Sequence, residues 1–315
     1  MRINEKDIIK IFQNNFKNKN WIPEDVEYFK IDKNIVVIKS DSLVESTDVP
    51  TNTKLLYIIR KSFISCISDF SSKCVNPKYG IISITIPRNF SKKKITQLAR
   101  VISCTATEFK IKMLGGDTNE GKELVVNVCL VGITKNIVRR KGAKIDDVII
   151  STGAFGYTSS ALNIILKNLT CSKYFEKKAK NFLLKPSSRL NFCISNSKYF
   201  SSAMDSSDGL STTLNVMAIQ SKKKFVITKL PTNNDIINFA EINKLDPLKL
   251  ILDGGEEYEI IATAKPSNID KIKKNAIAYN IELFEIGYVT KGQGVTYRNN
   301  NNETIIKDHG WIHLN

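Results

Sequence analysis

Residues 204–210 read Met204-Asp205-Ser206-Ser207-Asp208-Gly209-Leu210, the sharpest chemical signal in the chain. Two carboxylates three residues apart precede a helix predicted over 209–220. They are expected to face one way at its N-terminus, where exposed backbone N–H groups and the macrodipole favour a phosphate and the carboxylates hold a bridging cation. The competing reading is a doubly capped helix start, since Asp and Ser satisfy the first N–H groups of helices.

Working outward, the same pairing of an acid with glycine or serine recurs at Ser40-Asp41, Ser68-Asp69, Gly115-Gly116-Asp117-Thr118 and Asp253-Gly254-Gly255-Glu256-Glu257. All are read as strand-to-loop junctions, and Glu24-Asp25 adds an acidic pair near the start. Singly, such groups are turns or caps. Together, with no matching set of His or Cys, they point to a hard cation, because Mg²⁺ takes carboxylate oxygens together with substrate phosphates. Adjacent glycines let backbone N–H groups approach a phosphate without obstruction. The loop Thr152-Gly153-Ala154-Phe155-Gly156 is neither a GxGxxG nor a Walker A sequence, and no HRD or DFG set is present.

Around these groups the pattern alternates between helix and strand. Apolar positions at helical spacing predict helices over 5–18, 53–73 and from Ser91 to about Thr107, then over 158–167, 172–183 and 209–220. Strands are predicted at 26–31 and 35–38 across an Asp32-Lys33-Asn34 turn, at 81–86, which Pro87 ends, and at 125–133, 148–151, 257–263 and 283–289. Residues 299–302 read as a polar turn. The basic stretch 134–147 reads as a domain boundary, giving domains 1–136 and 137–315 of α+β or α/β class.

The chain carries 47 Lys+Arg against 31 Asp+Glu, a net charge of +16. The basic runs are short and scattered, so they read as a solvated surface that gathers anions, and no nucleic-acid partner is expected. None of the six cysteines forms a CxxC, and they read as buried thiols of a reducing, cytoplasmic compartment. The two histidines, His309 and His313, lie in the last seven residues, which argues against a histidine zinc site or a Ser-His-Asp triad. No apolar run reaches the roughly 20 residues of a membrane helix, and no membrane association is expected.

GGDT at 115–118, R-x-G-A at 140–143, MDSSDGL at 204–210 and GGEEYE at 254–259, with the closing Gly310-Trp311-Ile312-His313, resemble the motifs of thiamine-monophosphate kinases. That family belongs to the aminoimidazole ribonucleotide synthetase-like group. The order agrees from about Asp25 to the end, although Pro23-Glu24-Asp25 stands where the family has Gly-Asp-Asp. The resemblance implies a two-domain fold whose N-terminal sheet domain forms a homodimer. It also implies transfer of a phosphoryl group from ATP to thiamine monophosphate with several Mg²⁺ ions. The implied metal ligands are Asp25, Ser40, Asp41, Asp69, Asp117, Asp205 and Asp208. Gly116, Asp117, Arg140 and Ser207 would meet ATP; Asp48, Glu256 and Trp311 would meet the thiamine phosphate; and Asp117, Asp205, Asp208 and Arg140 would carry the catalysis. The rival readings are another ATP-using enzyme of the same group and a nucleotide-binding relative impaired by the Pro23-Glu24 change.

Overall fold

The structure, a computed structural model, describes residues 3–16, 22–299 and 302–312. His313 and parts of the predicted 5–18 helix and 299–302 turn fall outside those residues.

The N-terminal half runs α1 (Glu5–Asn15), β1 (Glu27–Ile31), β2 (Asn34–Val44), α2 (Glu45–Asp48), α3 (Leu55–Ser72), β3 (Pro77–Pro87), α4 (Lys92–Glu108), β4 (Lys112–Gly121) and β5 (Val125–Thr134). Its five strands form one sheet in the order β1-β2-β5-β3-β4, antiparallel except for the parallel pair β3–β4. One face is dry: Val37, Leu43, Val126, Val128 and Leu130 pack on Ile58, Ile59, Phe63, Ile67 and Phe70 of α3. The alternation within β5 makes this possible, since every second residue turns inward. The opposite face is uncovered among the described residues and carries exposed Phe29, Ile31, Tyr79, Ile81 and Ile133.

The second half runs β6 (Val148–Ser151), α5 (Tyr157–Lys167), α6 (Lys173–Leu184), α7 (Leu190–Asn196), β7 (Phe200–Ser206), α8 (Leu210–Ser221), β8 (Lys224–Ile227), α9 (Asn234–Ile242), α10 (Pro247–Leu252), β9 (Glu259–Ala264), α11 (Ile269–Ala278), β10 (Phe284–Thr290), β11 (Gly294–Asn299) and β12 (Asn302–Ile305). Its seven strands lie in the order β12-β11-β8-β10-β6-β9-β7. Both faces are covered, because Ile149 and Ile261 feed one core while Ile150, Ile260 and Ala262 feed another. The class is a two-domain α+β fold.

The outline predicted from periodicity holds to within a few residues for α3, α4, β5, β6, α5, α6, α8, β9 and β10, while the predicted 35–38 strand is the start of the longer β2. β4 was not predicted: Gly115-Gly116-Asp117-Thr118 lies inside this edge strand and not at a junction, because parallel pairing with β3 extends it. There a Cβ on Gly116 would stand 1.7 Å from the Ile82 carbonyl oxygen, so only glycine allows the strands to meet. Ser40-Asp41 lies within β2 and Ser68-Asp69 within α3, again not at junctions. The cysteines divide: Cys66 and Cys193 are buried, Cys104 is exposed and the other three are half-buried, all as free thiols. Among the described residues no helix is long and apolar enough to cross a membrane.

Candidate active site

Helix α3 assembles the site. Fourteen of its eighteen residues are buried, so the helix is enclosed on almost every side. Its polar residues are therefore buried too, and Lys61, Ser68, Asp69, Ser72 and Lys73 all turn toward functional partners. None of the lysines was legible as a site residue, since lysine reads as surface. The usable signal was the polar stripe Lys61, Ser65, Ser68 and Ser72, spaced as one helix face, in a helix that is otherwise mostly apolar.

Asp25, Asp69 and Asp205 converge, each fully or nearly buried, with oxygens within 4.8 Å of one another. Asp69 comes from α3, Asp25 from the segment before β1, and Asp205 from the C-terminal end of β7. The strand is fixed there by register with Ile260 of β9. Ser68 Oγ donates to Asp205 Oδ2 at 3.2 Å. Burial, reinforced by Asp25, pushes the Asp205 carboxyl up to about 7. Burial, with Asp205 and Asp41 nearby and only Lys39 opposing, pushes Asp69 well above the carboxylate range. Burial acts against ionised Asp25 as well, but Arg140 and Lys73 outweigh it and hold that carboxyl well below the usual range.

Three cations answer these acids. Lys73 is completely buried, with Nζ 2.7 Å from Glu24 Oε2 and 2.8 Å from Asp25 Oδ2. Arg140 Nε donates to Asp25 Oδ1 at 2.6 Å, its backbone N–H donates to Glu24 Oε2, and Ser72 Oγ completes Asp25 at 2.5 Å. Glu24-Asp25 thus forms a clasp on two cations despite Pro23. Lys39 Nζ lies 2.9 Å from Asp69 and 3.2 Å from Asp41. Lys39 and Asp41 share the inner face of β2, which places the intervening, exposed Ser40 on the outer one.

The expected ligand set is therefore divided within one chain. Asp25, Asp41, Asp69 and Asp205 meet on the inner side. Ser40 and Asp117 do not join them: Asp117 is exposed on β4, in register with Ser83, which pairs Asn127, which in turn pairs Ser42. Asp208 is exposed in the loop before α8, and its charge is felt at Asp205. Asp205 still belongs to β7, while Gly209, at φ +115, turns the chain into α8.

GGEEYE packs directly on this loop. Glu256 N–H donates to the Ser207 carbonyl at 2.6 Å and Tyr258 N–H to that of Ser206 at 3.1 Å. Its three acids take three separate partners. Glu256 pairs with Lys61 at 2.6 Å. Lys61 also donates to the Asp48 carbonyl at 2.6 Å, bringing Asp48 and Glu256 to one place. The Asp48 carboxylate itself accepts from Val44 N–H. Glu259 holds Arg189 and Thr152. Glu257 accepts from the Gly156 and Thr158 N–H groups at the start of α5, and burial pushes it up to about 8. Trp311 is exposed, and its backbone N–H donates to the Asp208 carbonyl at 2.9 Å. A side chain at Gly310 would collide with that same carbonyl, 2.3 Å away.

The raised Glu257 carboxyl has a measurable consequence. The folded state keeps this proton up to about pH 8, whereas an ordinary glutamate releases it near 4.5. Between those values the folded state binds more protons, so stability falls as pH rises. Glu257→Gln should flatten the decline of melting temperature with pH over this window; an unchanged slope would show that other groups cause it.

Among the described residues the three groups that converge are all buried carboxylates, two of them resisting ionisation, which suits a hard divalent ion such as Mg²⁺. The comparisons with known proteins agree in family. The description "AIR synthase related protein, N-terminal domain" matches residues 23–134, and the corresponding C-terminal domain matches 144–298. A thiamine-monophosphate kinase of Nitrosopumilus maritimus is 47% identical over 313 residues, covering 99% of both chains. One from Pyrococcus horikoshii is 30% identical, covering 99% of this chain and 97% of its own. The fold matches the structure of AaThiL complexed with AMPPCP and TMP at a TM-score of 0.85 and 24% identity, over 99% of each chain. With both halves and the full length accounted for, the chain belongs to the thiamine-monophosphate kinase family of AIR synthase related proteins.

Proposed function

We propose that the chain transfers the γ-phosphoryl group of ATP to thiamine monophosphate, giving thiamine diphosphate, by direct in-line displacement. The observation that carries this reading is the buried Asp25–Asp69–Asp205 cluster in a chain 47% identical to a thiamine-monophosphate kinase. The acceptor phosphate is already anionic at neutral pH, so the site needs no general base, in keeping with a cluster built without histidine. The obstacle is repulsion between anions. Asp25, Asp41, Asp69 and Asp205, with Asp208, Ser40 and Asp117, would hold Mg²⁺, which when bound would supply the charge that neutralises the phosphates.

Arg140, Gly116, Asp117 and Ser207 meet ATP in this reading, Arg140 through the guanidinium N–H groups that Asp25 leaves over. Asp48, Glu256 and Trp311 meet thiamine monophosphate, a role supported by the Lys61 bridge and by the bond from Trp311 to the Asp208 loop. The division falls at 136/137. The N-terminal domain forms a homodimer through the uncovered apolar face of its sheet, the face on which the Ser42–Asn127–Ser83–Asp117 row lies. The enzyme works in the cytoplasm. Asp117→Asn should then lower turnover by about 100-fold without changing the melting temperature; near-normal activity would remove Asp117 from the site.

The direct test follows ADP release from ATP and Mg²⁺, with and without thiamine monophosphate, and identifies thiamine diphosphate by chromatography. ADP formed only with a different acceptor would overturn the substrate, and bound nucleotide with no turnover would overturn the activity. Sedimentation tests the dimer, and a monomer at micromolar concentration would refute it.

A further inference from the structure

The balance of charge in the carboxylate cluster differs from that of a site held together by metal ions alone. Asp25 is already served: Arg140 occupies Oδ1, and Lys73 and Ser72 occupy Oδ2. Asp41 and Asp69 are served differently, by one side chain. Lys39 lies on the inner face of β2, two residues before Asp41 and in line with buried Val37 and Leu43. Its Nζ lies between the two acids, 3.2 Å from Asp41 Oδ1 and 2.9 Å from Asp69 Oδ2. That is the space a cation shared by these carboxylates would take, and a charged group in it repels a second cation.

We propose that the Lys39 ammonium is a tethered cation that takes the place of one divalent ion between Asp41 and Asp69. This rests on the metal-dependent reading above and deepens it. The β2–β5 ladder, paired without interruption from Ile35 to Val44, fixes where the lysine stem begins. The stem therefore starts on the same side of the sheet as Asp41, within reach of both acids. An ammonium carries a single charge and cannot bind a phosphate oxygen and two carboxylates in the close geometry of a metal ion. Its contribution is to hold Asp41 and Asp69 together and lower their repulsion, so that the remaining ions gather around Asp205 and the nucleotide.

The test counts bound Mn²⁺ by electron paramagnetic resonance on the full chain with a non-hydrolysable ATP analogue, for the wild type, Lys39→Ser and Lys39→Arg. Lys39→Ser is expected to bind one Mn²⁺ more than the wild type, and Lys39→Arg the same number as the wild type. In EDTA, Lys39→Ser should melt below the wild type, and added Mn²⁺ should raise its melting temperature by more than it raises that of the wild type. Equal counts and equal Mn²⁺ shifts for wild type and Lys39→Ser would overturn the proposal while leaving the metal-dependent reading intact. A wild type that binds no Mn²⁺ at all would overturn both. Should Lys39→Ser fail to fold even with Mn²⁺, Lys39→Met, which keeps the bulk without the charge, takes its place in the same count.

Discussion

Asp205→Asn should reduce turnover at least about 10³-fold, since a ligand that positions metal charge on the transferring group supplies several kcal/mol of transition-state stabilisation. The same variant should melt no lower than the wild type in EDTA, and at pH 8 it should melt higher. At that pH the Asp205 carboxyl, pushed up to about 7 by burial and by Asp25, is ionised at a cost to the folded state. An asparagine removes the charge, and its oxygen can still accept from Ser68 Oγ. Lost activity with gained stability is the signature of a functional acid held against its own solvation. A melting temperature that falls along with activity would make Asp205 a structural residue.

Lys73→Met should have the largest effect on stability. Removing one member of a buried ionic cluster strands its partners, at a cost of about 3–5 kcal/mol. Here the stranded groups are Glu24 and Asp25, both almost inaccessible, with Arg140 and the Ser72 hydroxyl left to answer them. The urea midpoint should drop accordingly, and adding Glu24→Gln should restore part of it. A midpoint close to wild type would mean that the clasp contributes little to folding and that Pro23-Glu24-Asp25 is held by its backbone alone.

The elements legible in the sequence are those whose apolar residues kept a period. β5 alternates, and α4, α5 and α6 carry a stripe. β4 had neither: Lys112–Gly121 is polar and rich in glycine, and becomes a strand because β3 is there to pair with it. β7 was missed for a related reason, since Ser202, Asp205 and Ser206 are buried in a strand whose letters suggest a loop. At the site, Asp41, Asp69, Asp117, Asp205 and Asp208 were legible because each stands beside glycine or serine in a recurring pattern, and Asp25 because it follows Glu24. Their counter-ions were not. Lys39, Lys61 and Lys73 meet acids 30, 195 and 48 positions away, and nothing local distinguishes them from the many surface lysines. The two-faced arrangement of Ser40 and Asp117 against Asp41 was equally hidden, because it depends on the β2–β5–β3–β4 register.

Because α3 carries Lys61 near one end of the site and Asp69 and Lys73 near the other, it acts as a ruler between them. Eight residues of helix separate Lys61 from Asp69, about 12 Å of axial rise. The spacing between the Asp48–Glu256 end and the carboxylate end is thereby written in covalent geometry and not in the adjustable length of a loop. A change of one residue within this interval would shift one end by about 1.5 Å and turn it by about 100°, so the gauge admits substitutions but not insertions. Evolution of a longer or shorter acceptor at this site would have to work through the loops that face the helix, leaving the scale itself untouched.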